Sequence, residues 1–271
     1  MKIYKPVFII GSYRGGTSLL FRLLSESEQL WSLYRESDHM WQSWFRHPNE
    51  RADNIYMQAS DLKVGEREYF DKHYHYYAYG NYTFGYLARV RFLREGLPCI
   101  LGLINALNYF WKFMAVGSYR FIDKTPPNAY RVSYLEALYP DAKFIYLTRN
   151  KADNVRSLMN AWNHKRKFKF RYRKYLTKDG KFIWKFNIPE DWQDYIDKPL
   201  EQVCAHQYDD LHEKARSALT KMDKSKWTEI SFEDLLADPE TVIKQLCEFI
   251  DIKYSPAMQE IVKKMPMVNE T

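Results

Sequence analysis

The chain has 271 residues, 46% of them hydrophobic and 28% charged, with a net charge of +7 at neutral pH. A chain of this length can bury most of its apolar surface in one large core, and no Pro/Gly/Ser-rich linker or internal repeat divides it, so a single domain over 1–271 is expected. No segment approaches a membrane span, and Cys99, Cys204 and Cys247 are few, odd in number and far apart, which points to a reducing compartment and offers no metal-ligand spacing.

In chain order, Val7 to Ile10 form the first buried-strand pattern, a glycine-rich turn follows, and Leu19, Leu20, Leu23 and Leu24 then repeat at helical spacing, predicting a helix over 17–26. A strand, a glycine loop and a helix N-terminus make an anion cradle of backbone N–H groups. The loop almost spells G-x-x-x-x-G-K-[ST] from Gly11 to Ser18, but Thr17 holds the lysine position and a cation stands inside the loop at Arg14. That departure argues against a triphosphate kinase and for a cradle that holds one phosphate, with arginine over its substituent. The plain alternative is an ordinary strand–turn–helix corner.

A second strand is expected over 30–34, ahead of Glu36. Residues 69–86 carry nine aromatics, which read either as core or lid packing or as stacking surfaces for sugar rings. His73 and His75 lie in this run with no cysteine partner, so no metal site is expected there. Helices are predicted over 85–95 and 100–114, and a strand over 120–123 ends at Asp123-Lys124-Thr125-Pro126. A helix over 128–138 leads to a strand over 143–147 with Arg149 at its end. The next helix, 152–163, carries Ser157 two turns beyond Arg149, so the two side chains can converge on one phosphate. Later come helices over 200–220 and 239–250 around a strand over 227–231. Asp238-Pro239-Glu240 supplies the helix start of the last. Strands alternating with helices predict an α/β fold with a central parallel sheet flanked by helices, whose ligands sit beyond the carboxyl ends of the strands.

Residues 165–174 hold seven Lys or Arg, with Phe168, Phe170 and Tyr172 interleaved. After Lys178-Asp179-Gly180, Phe182, Trp184 and Phe186 stay in phase. Two period-2 runs around Asp-Gly predict an inserted basic β-hairpin over 165–188, one face aromatic and packed on the domain. It reads equally as a solvated basic edge or as a surface for an acidic glycan or an anionic membrane. No nucleic-acid motif is present.

These segments together resemble the sulfotransferase family that uses 3′-phosphoadenosine 5′-phosphosulfate (PAPS), most closely bacterial sulfotransferases and tyrosylprotein sulfotransferases. The resemblance implies that the P-loop-like segment, through Arg14, Gly15, Gly16, Thr17 and Ser18, binds the 5′-phosphosulfate. It implies that Arg149 and Ser157, which match the family's Arg-x7-Ser pattern, bind the 3′-phosphate. Asp123-Lys124-Thr125-Pro126 resembles the family's lysine motif, and residues 230–240 resemble its YEDL…DPE segment, with Phe232 where tyrosine is usual. Many relatives continue past the position of Asn269-Glu270-Thr271 into a loop that helps close the cofactor site.

Sulfuryl transfer needs cations near the bridging oxygen and a base near the acceptor. Arg14 and Lys124 are the candidate catalytic cations, so no metal is required. Glu36 is the candidate base, by its place after the second strand where the tyrosylprotein enzymes carry theirs; His39 is the runner-up and Asp38 the third. Met1 leads into the first strand within six residues, where secretory relatives carry a membrane anchor, so a cytoplasmic enzyme is expected. The expected reaction moves a sulfuryl group from PAPS to a hydroxyl, on a carbohydrate. Rival readings are a lipid or peptide-tyrosine sulfotransferase, a nucleotide kinase of related fold, and a non-catalytic binder of anionic polymers or membranes.

Overall fold

The computed structural model describes residues 2–33, 36, 37, 41, 56–80, 118–164 and 184–265, with 76–80, 118 and 119 as backbone alone. The predicted helices over 85–95 and 100–114 lie outside the described residues, as do residues 165–183 of the hairpin.

The centre is a four-stranded parallel sheet. Strand β1 (Lys2–Ile3) pairs with β3 (Ser118–Tyr119) as a separate small ribbon. Strand β2 (Val7–Gly11) lies between β4 (Ile122–Lys124) and β5 (Lys143–Thr148), and β6 (Trp227–Ser231) adds to β5. Registers pair Ile9 with Lys124 on one side of β2 and Gly11 with Leu147 on the other.

Strand alternation divides the core in two. Phe8, Ile10, Phe144 and Tyr146 face one apolar cluster, whereas Val7, Ile9, Ile145 and Leu147 face the other. Burial on both faces is why these strands read as continuous apolar runs. The second cluster is closed by α1 (Thr17–Leu24), by α7 (Pro239–Phe249) and by α8 (Pro256–Lys263). The first is closed by α2 (Glu66–Gly80), α3 (Val132–Leu138), α4 (Lys151–Asn163) and α5 (Leu200–Leu219). The short α6 (Phe232–Ala237) follows β6 directly, capped by Ser231 Oγ accepting from Asp234 N–H at 2.9 Å. Asp238 caps α7 by accepting from Thr241 N–H at 3.1 Å, as the Asp-Pro-Glu start predicts.

Several boundaries differ from expectation. Of the strand expected over 30–34, the described residues 30–33 form one parallel bridge, Trp31 with Phe121. The strand expected over 120–123 begins at Ile122 instead, opposite Val7 where its partner β2 begins, and the Arg120 guanidinium donates to the carbonyls of Lys5, Ile250 and Asp251. The helix expected over 128–138 splits into a 3-10 turn, Pro126–Tyr130, and α3. At the end of the expected hairpin, Trp184 and Phe186 are buried against the domain, but Phe186 has φ 66° and the segment is irregular there, not strand. In the aromatic run, Phe70 and Tyr74 are buried, with rings 4.6 Å from Trp41 and 4.0 Å from Phe121 respectively, so this part is core packing.

Candidate active site

The loop after β2 turns on two left-handed residues, Arg14 (φ 62°) and Gly16 (φ 93°). Gly15 N–H donates to the Ser12 carbonyl at 3.1 Å, and the Gly16 carbonyl accepts from Leu19 N–H at 2.9 Å to open α1. Only glycine fits at 16, since a Cβ there would stand 2.2 Å from the Phe232 ring. Thr17 is buried in the first turn of α1 and Ser18 is exposed. The Asn154 side-chain amide lies 2.7 Å from Ser12 Oγ. With its oxygen toward the loop it also accepts from Gly15 N–H at 3.2 Å, so α4 pins the loop.

The three side chains expected to hold phosphates meet at this loop. Arg14 Nε donates to Ser157 Oγ at 3.3 Å, and Arg149 Nη1 donates to the Arg14 carbonyl at 3.0 Å. The Arg149 guanidinium carbon lies 4.8 Å over the Phe232 ring, and its Nε is buried without a partner. Phe232 thus stands in place of tyrosine as an apolar platform, under Arg149 and against Gly16.

On the other flank of β2, at the end of β4, Lys124 Nζ lies 2.6 Å from Glu36 Oε1. The lysine side chain is 9% exposed and the glutamate 37%. A cation this buried requires a charged partner, and Glu36 provides it. His39 and Asp38 lie outside the described residues. Register places the loop over the central strand with Lys124 and Arg149 on its two sides.

Beside Arg149 a cleft of about 510 Å³ opens between β5, β6 and α5, with Tyr208, His212, Arg216, Glu229 and Lys151 in its wall. Tyr208 O–H donates to the Arg149 carbonyl at 2.7 Å. His212 Nδ1 shares a 2.6 Å hydrogen bond with Tyr146 O–H. Burial, reinforced by the Arg216 charge, pushes the His212 pKa down to about 4 and keeps the ring neutral at pH 7.

The model of the sulfotransferase family matches residues 6–256. The chain belongs to the sulfotransferase family. No curated protein matches it. Among solved structures, it is similar to a sulfotransferase from Alicyclobacillus acidocaldarius, with 16% identity, 97% of this chain and 91% of that one covered, and a TM-score of 0.46. It is also similar to the sulfotransferase STF1 from Mycobacterium tuberculosis H37Rv, with 15% identity, 97% and 72% coverage and a TM-score of 0.49. A third is retinol dehydratase in complex with retinol and PAP, with 16% identity, 98% and 66% coverage and a TM-score of 0.39.

Sequence reasoning on this sulfotransferase passes over Asn154 and Ser37, and names Asp123 only as part of the lysine motif, without a role. Asn154 does leave a signal, because it lies on the buried face of α4 with Val155 and Leu158, where a polar side chain must find partners. Among the described residues, no group of His, Cys, Asp or Glu could hold a metal ion, and no helix is long and apolar enough to cross a membrane.

Proposed function

We propose that this protein transfers the sulfuryl group of PAPS to a hydroxyl of a carbohydrate acceptor. The observation that carries the reading is the convergence of Arg14, Arg149 and Ser157 on one loop whose lysine position holds threonine. The residues suit the donor. Arg149 Nε is a buried cationic donor with no partner, and α1 opens with N–H groups that have no intrahelical acceptor. The cleft that borders Arg149, of about 510 Å³, falls in the size range of small-molecule sites.

PAPS supplies a sulfuryl group activated as a mixed anhydride. Arg14 and the N–H groups of Gly16, Thr17 and Ser18 hold its phosphosulfate end, with Gly15 shaping the turn through its bond to the Ser12 carbonyl, and Arg149 with Ser157 holds the 3′-phosphate. Lys124 stabilises negative charge that develops on the bridging oxygen as the sulfur–oxygen bond breaks. Glu36 takes the proton of the acceptor hydroxyl as its oxygen bonds to sulfur. Their 2.6 Å contact keeps base and cation adjacent, as transfer between two aligned oxygens requires.

The basic segment 165–174 and the excess of positive charge support an anionic glycan as acceptor, and the same segment suits contact with an anionic membrane surface. Cys204 and Cys247, both free and buried, support work in the cytoplasm.

Calorimetric titration with 3′,5′-adenosine bisphosphate beside AMP, ADP and ATP–Mg tests the donor. Selective binding of the bisphosphate is expected; preference for ATP–Mg would make the loop a kinase site and overturn the reading. Radiolabelled PAPS offered with carbohydrates, lipids and tyrosine peptides tests the acceptor. Label confined to lipids or peptides would overturn the carbohydrate assignment alone.

A further inference from the structure

Asp123 sits in β4 beside Lys124, 1% exposed. A carboxylate withdrawn from water needs several donors. It receives Ser37 Oγ–H at 2.7 Å, Asn128 Nδ2–H at 2.8 Å and Thr125 Oγ1–H at 3.1 Å, with Tyr74 O–H at 3.5 Å. The backbone N–H of Ser37 also donates to Thr125 Oγ1 at 2.7 Å, and Trp41 Nε1 donates to Ser37 Oγ at 3.3 Å. The residue after Glu36 is therefore fastened twice to the two residues that flank Lys124. Successive strand side chains point to opposite faces, so this network stands behind the ion pair and takes no part in it. Stability alone does not call for it, because well-packed apolar residues commonly replace buried charged groups at little cost.

We infer that Asp123 is a positioning residue, which through Ser37 and Thr125 holds the Glu36 carboxylate against Lys124 Nζ. Its role in the reaction rests on the proposed assignment of Glu36 and Lys124 to proton and charge transfer. The holding itself can be measured without any acceptor.

A water-soluble carbodiimide activates the Glu36 carboxyl. Lys124 Nζ then attacks the acyl carbon, an amide forms, and the carboxyl oxygen leaves with the urea. Mass spectrometry reads the joined Glu36 and Lys124 peptides, lighter by one water. The wild type should give this cross-link. Ser37→Ala, Thr125→Val and Asp123→Asn should each lower its yield by about fivefold or more, the loss expected from one buried hydrogen bond. Thr125→Ser keeps the hydroxyl and should keep the yield. Melting temperature and bisphosphate affinity separate lost positioning from lost folding. Should Asp123→Asn fail to fold, the other two variants decide. Undiminished cross-linking in Ser37→Ala and Thr125→Val would overturn the inference, and so would equal losses in Thr125→Ser and Thr125→Val. A Glu36→Gln enzyme that transfers sulfate at the wild-type rate would instead remove the base assignment and leave the positioning intact.

Discussion

Arg149 donates from Nη1 to the carbonyl of Arg14 across 3.0 Å. Arg14 is a non-glycine residue at φ 62°, a conformation that costs about 1–2 kcal/mol, and this bond helps hold it there. The arginine assigned to the 3′-phosphate thus also shapes the loop assigned to the 5′-phosphosulfate. Arg149→Ala should weaken 3′,5′-adenosine bisphosphate about 50-fold and AMP about fivefold, by loss of a charge-assisted contact in the first case and of loop order in both. Calorimetry checks both; equal losses would confine Arg149 to the loop.

Gly16→Ala places a Cβ in a left-handed residue and against the Phe232 ring. It should destabilise the protein by about 1–3 kcal/mol, seen as a lower melting temperature, and weaken bisphosphate binding. Phe232→Leu in the same chain should recover part of the melting temperature, because the smaller side chain makes room. A double variant no more stable than Gly16→Ala would assign the whole cost to the backbone.

Lys124→Met and Glu36→Gln separate cation from base. Lys124→Met should lower kcat by about 10²–10³-fold, as loss of a preorganised charge at the transition state does. Glu36→Gln should lower kcat by about 10²-fold and change bisphosphate affinity far less, since Glu36 meets the donor only through Lys124. Steady-state kinetics beside calorimetry test this; a Glu36→Gln loss carried by KM for the donor would place Glu36 with the nucleotide.

His212 gives the fold a pH dependence of known sign. The folded ring titrates near 4 and the unfolded one near 6.5. Between those values the unfolded chain takes up a proton that the folded chain does not. This contribution is level above pH 6.5 and falls as pH drops toward 4, by up to about 3 kcal/mol. Asp71, Asp123 and Asp210, whose pKa values burial raises, act with the opposite sign over the acidic range. The difference between wild type and His212→Phe in urea unfolding at pH 7.0, 5.5 and 4.5 isolates the histidine, and a constant difference would contradict its neutral burial.

Burial pushes the Cys204 thiol up to about 12 and the Cys247 thiol to about 11. Neither forms a thiolate at neutral pH, so both should resist an aryl disulfide reagent in the native protein. At most one thiol should react within minutes, and all three after denaturation; two fast thiols would show that one of these sites opens.

The parallel core is legible in the sequence because β2 and β5 are buried on both faces, which leaves them as unbroken apolar runs, and because β2 passes straight through a glycine turn into a leucine-periodic helix. Arg149 and Ser157 are legible because one strand-to-helix turn sets their spacing. Of the strand expected over 30–34, the described part keeps one bridge, Trp31 with Phe121, and beyond it Ser37 is held by side-chain contacts to Asp123 and Thr125, far away in sequence. No local pattern encodes such a contact. The helix α2 is hard to read because its tyrosine-rich stretch has a weak apolar periodicity, and α6 because it spans only Phe232–Ala237. Lys124 and Glu36 read in the sequence as two separate roles; that they share one contact only the fold could show.

Phe232 comes from near the C-terminal end of the sequence, yet it closes over Gly16 near the beginning. A chain still being synthesised carries the glycine loop from the first seconds, with nothing above it until β6 has been made and docked. The packing of Phe232 on Gly16 is therefore late to form, because contacts this distant in sequence form after local ones. A chain that stopped before β6 would carry the recognisable glycine loop without the ring that packs against it.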